Sequence, residues 1–380
     1  MDQPPRILIL SASAGAGHVR AAQAIEQAVC AKSTCDVRNV DALDHTTKMF
    51  RRIYQKAYID LVNHAPEALG LLYDRLDKPW KYQRRRLALD KLNTRRFVEL
   101  IKAYDPVWAV CTHFLPAEIV AWLKARRRLR ARLAVVVTDF DVHGMWLYRH
   151  VDRYFVALEE TRVHLARLGI PADTITVSGI PIDPRFAEAF DKNALRRKHG
   201  LEPDRSTILI AAGGFGVGPV EHIVSSIREL THRAQVVVIC GRSEDLRRRV
   251  EKVAKAPGGG NVWIKVIGFT SEMHELMGAA DLLVGKPGGL TTSEALSRGL
   301  ALVVINPIPG QEERNADHLL EQGAAIRCNN LPVIAWKIDQ LLDDPNRLST
   351  MQERARRLGR PNAANEIADS LLPPGLASGD

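Results

Sequence analysis

The chain has 380 residues, of which 46% are hydrophobic and 26% charged, and its formal net charge is +9 at pH 7. This composition is that of an ordinary soluble globular protein, and the length favours two domains. The five cysteines are an odd number without CxxC spacing, which argues against a disulfide framework or a zinc site and favours a reducing cytoplasm. No apolar run approaches the roughly 18 residues that cross a bilayer, and the first residues lack the basic start of a signal peptide.

The positive charge is concentrated in one quarter of the chain. Residues 45–135 contain 20 Lys and Arg against 8 Asp and Glu, with dense runs at 84–86 and 126–128. Such a patch attracts an anionic lipid surface or a nucleic acid. The segment also carries aromatic residues at helical spacing, which is typical of a helix at a membrane surface, although core packing and solvated helix faces give the same pattern.

The first 183 residues predict a doubly wound α/β domain. An apolar strand at 6–10, a small-residue turn at 11–18 and an alanine-rich helix at 19–29 open it. Further strands are predicted at 36–40, 108–111, 134–138, 154–157 and 175–177.

His18 is the unusual residue of the first turn. At the start of a helix the positive end of the dipole favours a neutral imidazole, which can act as a base. A lone histidine is more often structural, so the spacing alone does not establish this role. The turn has Gly15-x-Gly17 but Arg20 in place of a third glycine, so it is a poor match to a dinucleotide-binding fingerprint. Thr112-His113 and the segment 139–143 follow other strands and are expected near His18.

The second half repeats the pattern. The segment 184–205 is predicted to be a linker, and 206–360 a second doubly wound domain with strands at 207–211, 235–240, 262–266, 281–285 and 300–305. A helix at 361–373 is expected to pack back on the first domain. The glycine turn 213–218 and the helix start after Pro287 suit a phosphate, because free backbone N–H groups point there. Glu294 and the amide-rich loop 311–315 suit hydroxyl groups.

The chain resembles the monogalactosyldiacylglycerol synthase and processive diacylglycerol glucosyltransferase family of UDP-sugar-dependent lipid glycosyltransferases. The matching segments are SASAGAGHVRAAQAI, VVVTDFDVHGMW, GIPIDPRF, AAGGFGVGP and a long C-terminal run that includes LLVGKPGGLTTSEAL and NPIPGQEERN. More distantly the chain resembles the peptidoglycan N-acetylglucosaminyltransferase. The resemblance implies a GT-B fold, in which two Rossmann-like doubly wound domains face each other across a cleft.

The resemblance also implies roles for individual residues. Phe269 and Thr270 would face the uracil, and Glu294 would hold the ribose hydroxyls. Gln311, Glu312 and Asn315 would contact the sugar. The diphosphate would be received by Gly213, Gly214, Gly216, Lys286, Pro287, Gly288, Gly289 and Thr291. On the acceptor side the implied catalytic residues are His18, Asp139 and His143, with Gly17 beside them, and the implied membrane residues are Trp80, Arg84, Arg85 and Arg86.

The implied reaction is an inverting transfer of a hexose from UDP-glucose or UDP-galactose to the 3-hydroxyl of diacylglycerol. His18 would take the proton, and helix dipoles and backbone N–H groups would stabilise the departing UDP without a metal ion. Asp139-Phe-Asp141 has the Asp-x-Asp spacing of metal-dependent transferases but falls in the acceptor half. The enzyme would be cytoplasmic and peripheral on the inner face of the cell membrane. Three alternatives remain: another lipid acceptor such as a polyprenyl intermediate, a UDP-sugar epimerase, and a basic nucleic-acid-binding protein.

Overall fold

The computed structural model describes residues 4–13, 15–47, 49–52, 66–77, 94–212, 219–257 and 260–372. The chain divides into two compact units. The first unit comprises residues 1–184, 309–311 and 360–380, and the second comprises 185–308 and 312–359. The labels below number the described strands and helices in chain order.

The first unit is built on a parallel six-stranded sheet in the order β2-β1-β3-β4-β5-β6. Its strands are β1 (Arg6–Ser11), β2 (Asp36–Asp41), β3 (Trp108–Cys111), β4 (Arg132–Val136), β5 (Arg153–Val156) and β6 (Ile175–Val177). The described helices that connect them are α1 (Ala16–Lys32), α2 (Pro66–Leu76), α3 (Arg95–Tyr104), α4 (Phe114–Ala125) and α5 (Glu159–Arg167). A short 3-10 turn, Gly144–Trp146, follows β4.

The sheet is covered on both faces, as an unbroken apolar strand such as β1 requires. Successive side chains of a strand point to opposite faces. Leu8 and Leu10 accordingly lie in one cluster with Phe97 of α3, whereas Ile7 and Ile9 lie in another with residues of α1. The core therefore fixes the sheet between two helical layers and sets the position of the loops at its ends.

The second unit is also a parallel six-stranded sheet, in the order β12-β11-β10-β7-β8-β9. Its strands are β7 (Ser206–Ala211), β8 (Ala234–Ile239), β9 (Val262–Ile267), β10 (Leu282–Gly285), β11 (Ala301–Ile305) and β12 (Ala325–Cys328). Its helices are α6 (Lys192–Lys198), α7 (Val220–Ile227), α8 (Glu244–Ala254), α9 (Met273–Ala279), α10 (Gly289–Ser297), α11 (Gln311–Glu321), α12 (Ile334–Leu342) and α13 (Pro345–Leu358). Counted from β9, this is the 3-2-1-4-5-6 strand order of a Rossmann domain. The predicted fold class of two Rossmann-like units is confirmed.

The predicted linker is wrong for residues 185–205, because side chains tie them into the second unit. The guanidinium of Arg298 donates to the backbone oxygens of Arg185 and Glu188, both at 2.7 Å. Arg196 and Lys192 of α6 both form ion pairs with Asp281. The segment is a charged and partly buried part of the second unit, although its Pro-rich start resembles a linker.

The last helix, α14 (Ala363–Leu371), belongs to the first unit. Its apolar residues Ile367 and Leu371 join the core cluster that contains Ile25 of α1. Lys32, at the end of α1, forms an ion pair of 2.6 Å with Asp369. In the part of the chain that the structure describes, no helix is both long and apolar enough to span a membrane.

Candidate active site

His18 lies where ligands bind in open α/β sheets. In the first unit the sheet grows in opposite directions from β1 and β3, which makes their carboxyl ends the topological switch point. His18 is the third residue of α1, directly after β1, and Thr112 directly follows β3. The fold therefore brings these two residues together from positions 94 apart in the chain.

The hydrogen bonds of His18 fix its tautomer. Its Nδ1 lies 2.9 Å from the backbone oxygen of Thr112 and 2.9 Å from Oγ1 of Thr138. A carbonyl oxygen can only accept, so the neutral ring must carry its proton on Nδ1. The lone pair is consequently on Nε2, which is the arrangement that a general base needs.

The surroundings of His18 also keep the ring neutral. Burial lowers the pKa of His18 to about 4, and the hydrogen bond to Thr112 opposes this only in part. The position at the start of α1 acts in the same direction as burial, since the positive end of a helix disfavours a cation. At neutral pH His18 can therefore accept a proton.

Two aromatic rings pack near His18, and neither residue was assigned a role from the sequence. The His113 ring packs edge-on against the His18 ring at 4.6 Å, and the Trp146 ring lies 6.3 Å from it. His113 caps α4, because its Nδ1 accepts the backbone N–H of Leu115 at 3.0 Å. Its position after β3 was visible in the sequence, whereas Trp146 had no local signal.

Asp139 is buried near the same sheet edge, but the observed partners of His18 Nδ1 are Thr112 and Thr138. The two threonines therefore orient His18 through Nδ1, whereas the resemblance implied a catalytic role for Asp139, either to orient His18 or to orient the acceptor. Gln311, predicted to contact the sugar, belongs to the first unit, where its side-chain amide donates to Asp139. This contact gives Asp139 a bonding partner that the sequence did not predict.

The predicted catalytic role of His143 does not agree with its hydrogen bonds. Its Nδ1 accepts the backbone N–H of Met145 at 3.1 Å, and its Nε2 lies 2.8 Å from the backbone oxygen of Tyr73. Nε2 must donate to that carbonyl, so both ring nitrogens are bonded to the backbone. His143 therefore has a structural role rather than that of a base.

The remaining residues predicted on the acceptor side lie in different places. Gly17 lies in the first turn of α1, directly before His18. The exposed arginines 126, 127, 128 and 130 precede β4 and so lie at the amino edge of the sheet, opposite the edge that carries His18. This half of the predicted basic patch is not beside His18. Trp80, Arg84, Arg85 and Arg86 lie outside the described residues.

In the second unit the switch point lies between β7 and β10. Lys286, Pro287 and Gly288 directly follow β10, and Gly288 is the N-cap of α10. The first backbone N–H groups of a helix have no partner within the helix, and here they belong to Gly289, Leu290 and Thr291. This is the geometry that binds a phosphate. The predicted phosphate loop residues Gly213, Gly214 and Gly216 lie outside the described residues.

Gln311, Glu312 and Asn315 lie in the first turns of α11, not in an open loop as predicted. Asn315 is buried and its side-chain amide donates to the backbone oxygen of Pro287 at 3.0 Å, so it supports the loop after β10. Glu312 accepts the backbone N–H of Ile308 at 2.7 Å. A methyl group at Gly288 would lie 3.6 Å from Oε1 of Glu312, so the carboxyl group lies beside the start of α10. Burial raises the pKa of Glu312, and the nearby Lys286 opposes this shift.

The residues predicted to hold the nucleoside differ in exposure. Glu294 is 1% exposed within α10. Phe269, directly after β9, is 64% exposed, and the Arg242 guanidinium lies 4.9 Å from its ring. An exposed aromatic ring beside a cation can stack on a base. The Thr270 hydroxyl accepts the backbone N–H of Glu272 at 3.0 Å. Arg242 was missed, although it follows β8, the neighbour of β9.

One group of described residues has the composition of a metal site. Ligand atoms of His199, Glu272 and Glu275 lie within 4.8 Å of one another. Lys198 lies 2.6 Å from Glu275 and 3.6 Å from Glu272. The Lys198 ammonium group pairs with both carboxylates, and Nε2 of His199 lies 2.8 Å from Glu275, so their proximity needs no metal ion.

Comparison with known proteins matches each half of the chain to a family. The profile described as monogalactosyldiacylglycerol (MGDG) synthase matches residues 18–182, and the profile of glycosyl transferases group 1 matches residues 191–358. The chain is 31% identical over 383 residues to the processive diacylglycerol beta-glucosyltransferase of Bacillus cereus (strain AH187), covering 98% of this chain and 94% of that protein. It is 30% identical to the protein of the same name from Bacillus mycoides (strain KBAB4), with the same coverage.

Solved structures share the fold at low sequence identity. MurG of Acinetobacter baumannii is similar with a TM-score of 0.61 and 16% identity, covering 97% of this chain and 99% of that one. MnaA of S. aureus, solved with UDP, is similar with a TM-score of 0.65 and 14% identity, covering 97% and 96%. Together with the two Rossmann-like sheets, the sequence relatives show that the chain belongs to the monogalactosyldiacylglycerol synthase family of GT-B glycosyltransferases, which make diacylglycerol glycolipids.

Proposed function

We propose that the protein transfers a hexose from a UDP-hexose to the 3-hydroxyl of diacylglycerol with inversion at C1. The hydroxyl oxygen bonds to C1 as the bond from C1 to the UDP oxygen breaks, and the hydroxyl proton passes to Nε2 of His18. The products are a β-glycosyldiacylglycerol and UDP, and the proton on His18 is then released to solvent.

The single observation that carries this proposal is the hydrogen bond between Nδ1 of His18 and the Thr112 carbonyl. The hydrogen bond of Nδ1 to the Thr112 carbonyl places the lone pair on Nε2, and the lowered pKa keeps the ring neutral. A neutral imidazole can deprotonate an alcohol as its oxygen attacks an electrophile. The relatives named as diacylglycerol glucosyltransferases support a lipid alcohol as that nucleophile.

The second unit supplies the features that a nucleotide sugar needs. We assign the diphosphate to the N–H groups at the start of α10, where the helix dipole favours negative charge. Phe269 and Arg242 would pack on the uracil, and Glu294 would accept hydrogen bonds from the ribose hydroxyls. Glu312, whose pKa is raised, lies beside this helix start and is assigned to the hexose.

Metal-independent departure of UDP is part of the proposal. The developing charge would be stabilised by helix N–H groups, by the dipole of α10 and by Lys286. Chelation of divalent ions with EDTA is expected to leave the rate unchanged. A rate lost on chelation and restored by Mg²⁺ or Mn²⁺ would show that a metal ion bridges the diphosphate.

Attachment to the inner face of the cell membrane is proposed to be peripheral and electrostatic. Each Lys or Arg near an anionic surface contributes about 1 kcal/mol, and salt screens the attraction. Binding to vesicles that contain anionic lipid should therefore weaken as salt rises. Equal binding to neutral vesicles would contradict the electrostatic account.

The product identifies the reaction. The protein is incubated with labelled UDP-glucose or UDP-galactose in the presence of diacylglycerol vesicles, polyprenyl phosphate vesicles, or no lipid. A labelled β-glycosyldiacylglycerol supports the proposal and identifies the hexose. A labelled polyprenyl product would show that the acceptor is a polyprenyl lipid instead of diacylglycerol. Epimerised or hydrolysed nucleotide sugar in the absence of lipid would indicate an epimerase.

A further inference from the structure

The turn at residues 143–146 contacts both the His18 site and helix α2. On one side the buried Trp146 ring lies 6.3 Å from the His18 ring. On the other side His143 and Gly144 contact residues 73 and 77 at the end of α2. A shift of this turn would therefore change the position of α2 relative to the proposed base.

Two hydrogen bonds and one ring contact hold the end of α2 on this turn. Nε2 of His143 donates to the backbone oxygen of Tyr73 at 2.8 Å, and the backbone N–H of Gly144 donates to Oδ1 of Asp77 at 2.7 Å. The rings of Tyr73 and His143 pack with centroids 4.0 Å apart. The Tyr73 carbonyl also accepts the backbone N–H of Asp77 at 3.0 Å, so His143 adds a second hydrogen bond to the same oxygen at the end of α2.

Tyr73 is also confined by Gly310 of the same unit. Gly310 has a φ of +87°, and a Cβ atom there would lie 2.6 Å from Cδ1 of Tyr73. The tyrosine therefore packs between the His143 ring and a position that only glycine accommodates. These contacts define where α2 ends with little room for adjustment.

Helix α2 lies in the basic, aromatic segment 45–135, whose composition is typical of a helix at a membrane surface. Leu71, on the same helix as Tyr73, is 73% exposed, so its side chain is accessible to a partner. We propose that His143 is a positioning residue, which aligns α2 with His18 and thereby sets the affinity for the lipid acceptor. This inference rests on the proposed function for the identity of the acceptor, but not for the contact itself.

Two substitutions separate the two hydrogen bonds of His143. In His143→Asn the side-chain oxygen can replace Nδ1 and accept the Met145 N–H, but the side chain is too short to reach Tyr73. In His143→Gln the amide N–H group extends as far as Nε2 and can donate to the Tyr73 carbonyl. Comparing the two variants therefore separates the effect of the bond to the Tyr73 carbonyl from the effect of the bond to the Met145 N–H.

We expect His143→Asn to raise KM for diacylglycerol about 5-fold or more, the effect of one hydrogen bond, with KM for the UDP-hexose unchanged. His143→Gln should recover most of this loss. Hydrogen–deuterium exchange of residues 66–77 should rise in His143→Asn and return towards wild type in His143→Gln.

The exchange measurement needs no turnover, so it tests the contact even if diacylglycerol is not the acceptor. Unchanged exchange at residues 66–77 and unchanged KM in His143→Asn would overturn the inference. Equal losses in both variants would also overturn it, because they would indicate general packing rather than the bond to α2. If the wild-type protein makes no lipid product, the proposed function fails, and the exchange result alone decides whether His143 holds α2.

Discussion

Nδ1 of His18 lies 2.9 Å from the backbone oxygen of Thr112, and the Thr112 hydroxyl donates to the backbone oxygen of His18 at 2.9 Å. This reciprocal pair joins the ends of β1 and β3 at the switch point of the sheet. It determines which nitrogen of His18 carries the proton. Because the acceptor is a backbone oxygen, no side-chain substitution at Thr112 removes it, and the fold itself sets the tautomer.

Replacing the proposed base should abolish catalysis and spare donor binding. We expect His18→Ala to lower kcat by about 10²- to 10⁴-fold, the usual contribution of a general base. Calorimetric titration with UDP should give an unchanged Kd. His164→Ala, which removes a half-exposed histidine of α5, is the matched control. Full activity in His18→Ala would transfer the role of base to another residue.

The pH dependence of kcat/KM should report the lowered pKa of His18. The folded pKa is about 4 against an ordinary value of 6.5, so the base stays deprotonated down to about pH 5. Activity should be lost only as the pH falls through about 4, provided that the protein remains folded, which circular dichroism checks. An acidic limb near 6.5 would show that His18 is solvated like a free histidine.

The hydroxyl of Thr138 should assist His18 without being essential. Thr138→Val keeps the shape of the side chain and removes the oxygen that lies 2.9 Å from Nδ1. One hydrogen bond is worth about 0.5–1.5 kcal/mol, so kcat should fall roughly 2- to 12-fold. Thr138→Ser retains the hydroxyl and should stay close to wild type. An equal loss in both variants would assign the effect to packing.

The ribose assignment is tested at Glu294, which is buried in α10. Glu294→Gln keeps the size of the side chain and removes its charge. It should therefore weaken the hydrogen bonds that this side chain is proposed to accept from the two ribose hydroxyl groups. The Kd of UDP should rise about 10-fold, whereas the Kd of uracil-free pyrophosphate should not change. Glu313→Gln, on the more exposed start of α11, is the control. An unchanged Kd for UDP in Glu294→Gln would contradict the assignment.

Two glycines with the same backbone angle separate strain from packing at the end of α10. Gly299 and Gly200 both have a φ of +68°, but a Cβ at Gly299 would lie 2.4 Å from Cγ of Arg356, and one at Gly200 would meet nothing within 4 Å. Gly200→Ala should cost about 1–2 kcal/mol of unfolding free energy from backbone strain alone. Gly299→Ala should cost roughly 1–3 kcal/mol more, because the Arg356 side chain must also be displaced. Urea unfolding of both variants measures the difference, and equal losses would show that Arg356 adapts freely.

Much of the fold was predictable because parallel strands buried on both faces are continuous apolar runs. Trp108–Cys111 and Ile175–Val177 are found as predicted. Strand β12 was missed because a charged residue, Arg327, interrupts its apolar run. Helix α11 was read as a loop because its first turn is charged and follows a Pro-Gly turn.

The site was predictable where a residue lies in the turn or first helical turn after a strand, as His18, Thr112 and Gly288 do. Hydrogen-bond partners were not, since they depend on the adjacency of strands distant in the chain. The bonds of His143 to Tyr73 and Met145 illustrate this, because the family resemblance implied a catalytic role and the sequence contained no sign of these bonds. The arginines at 126–128 precede β4 and therefore lie at the amino edge of the sheet. This position was not predictable from charge counts along the chain, because such counts contain no information on which edge a loop occupies.

The central claim is that His18 is a neutral base with its lone pair on Nε2. Nitrogen-15 NMR of histidine-labelled protein, with the resonances assigned by comparison with His18→Ala, measures this directly. At pH 7 the account predicts a protonated Nδ1 and an unprotonated Nε2, with titration only near pH 4. A proton on Nε2 at pH 7, or an imidazolium that forms near pH 6.5, would contradict it.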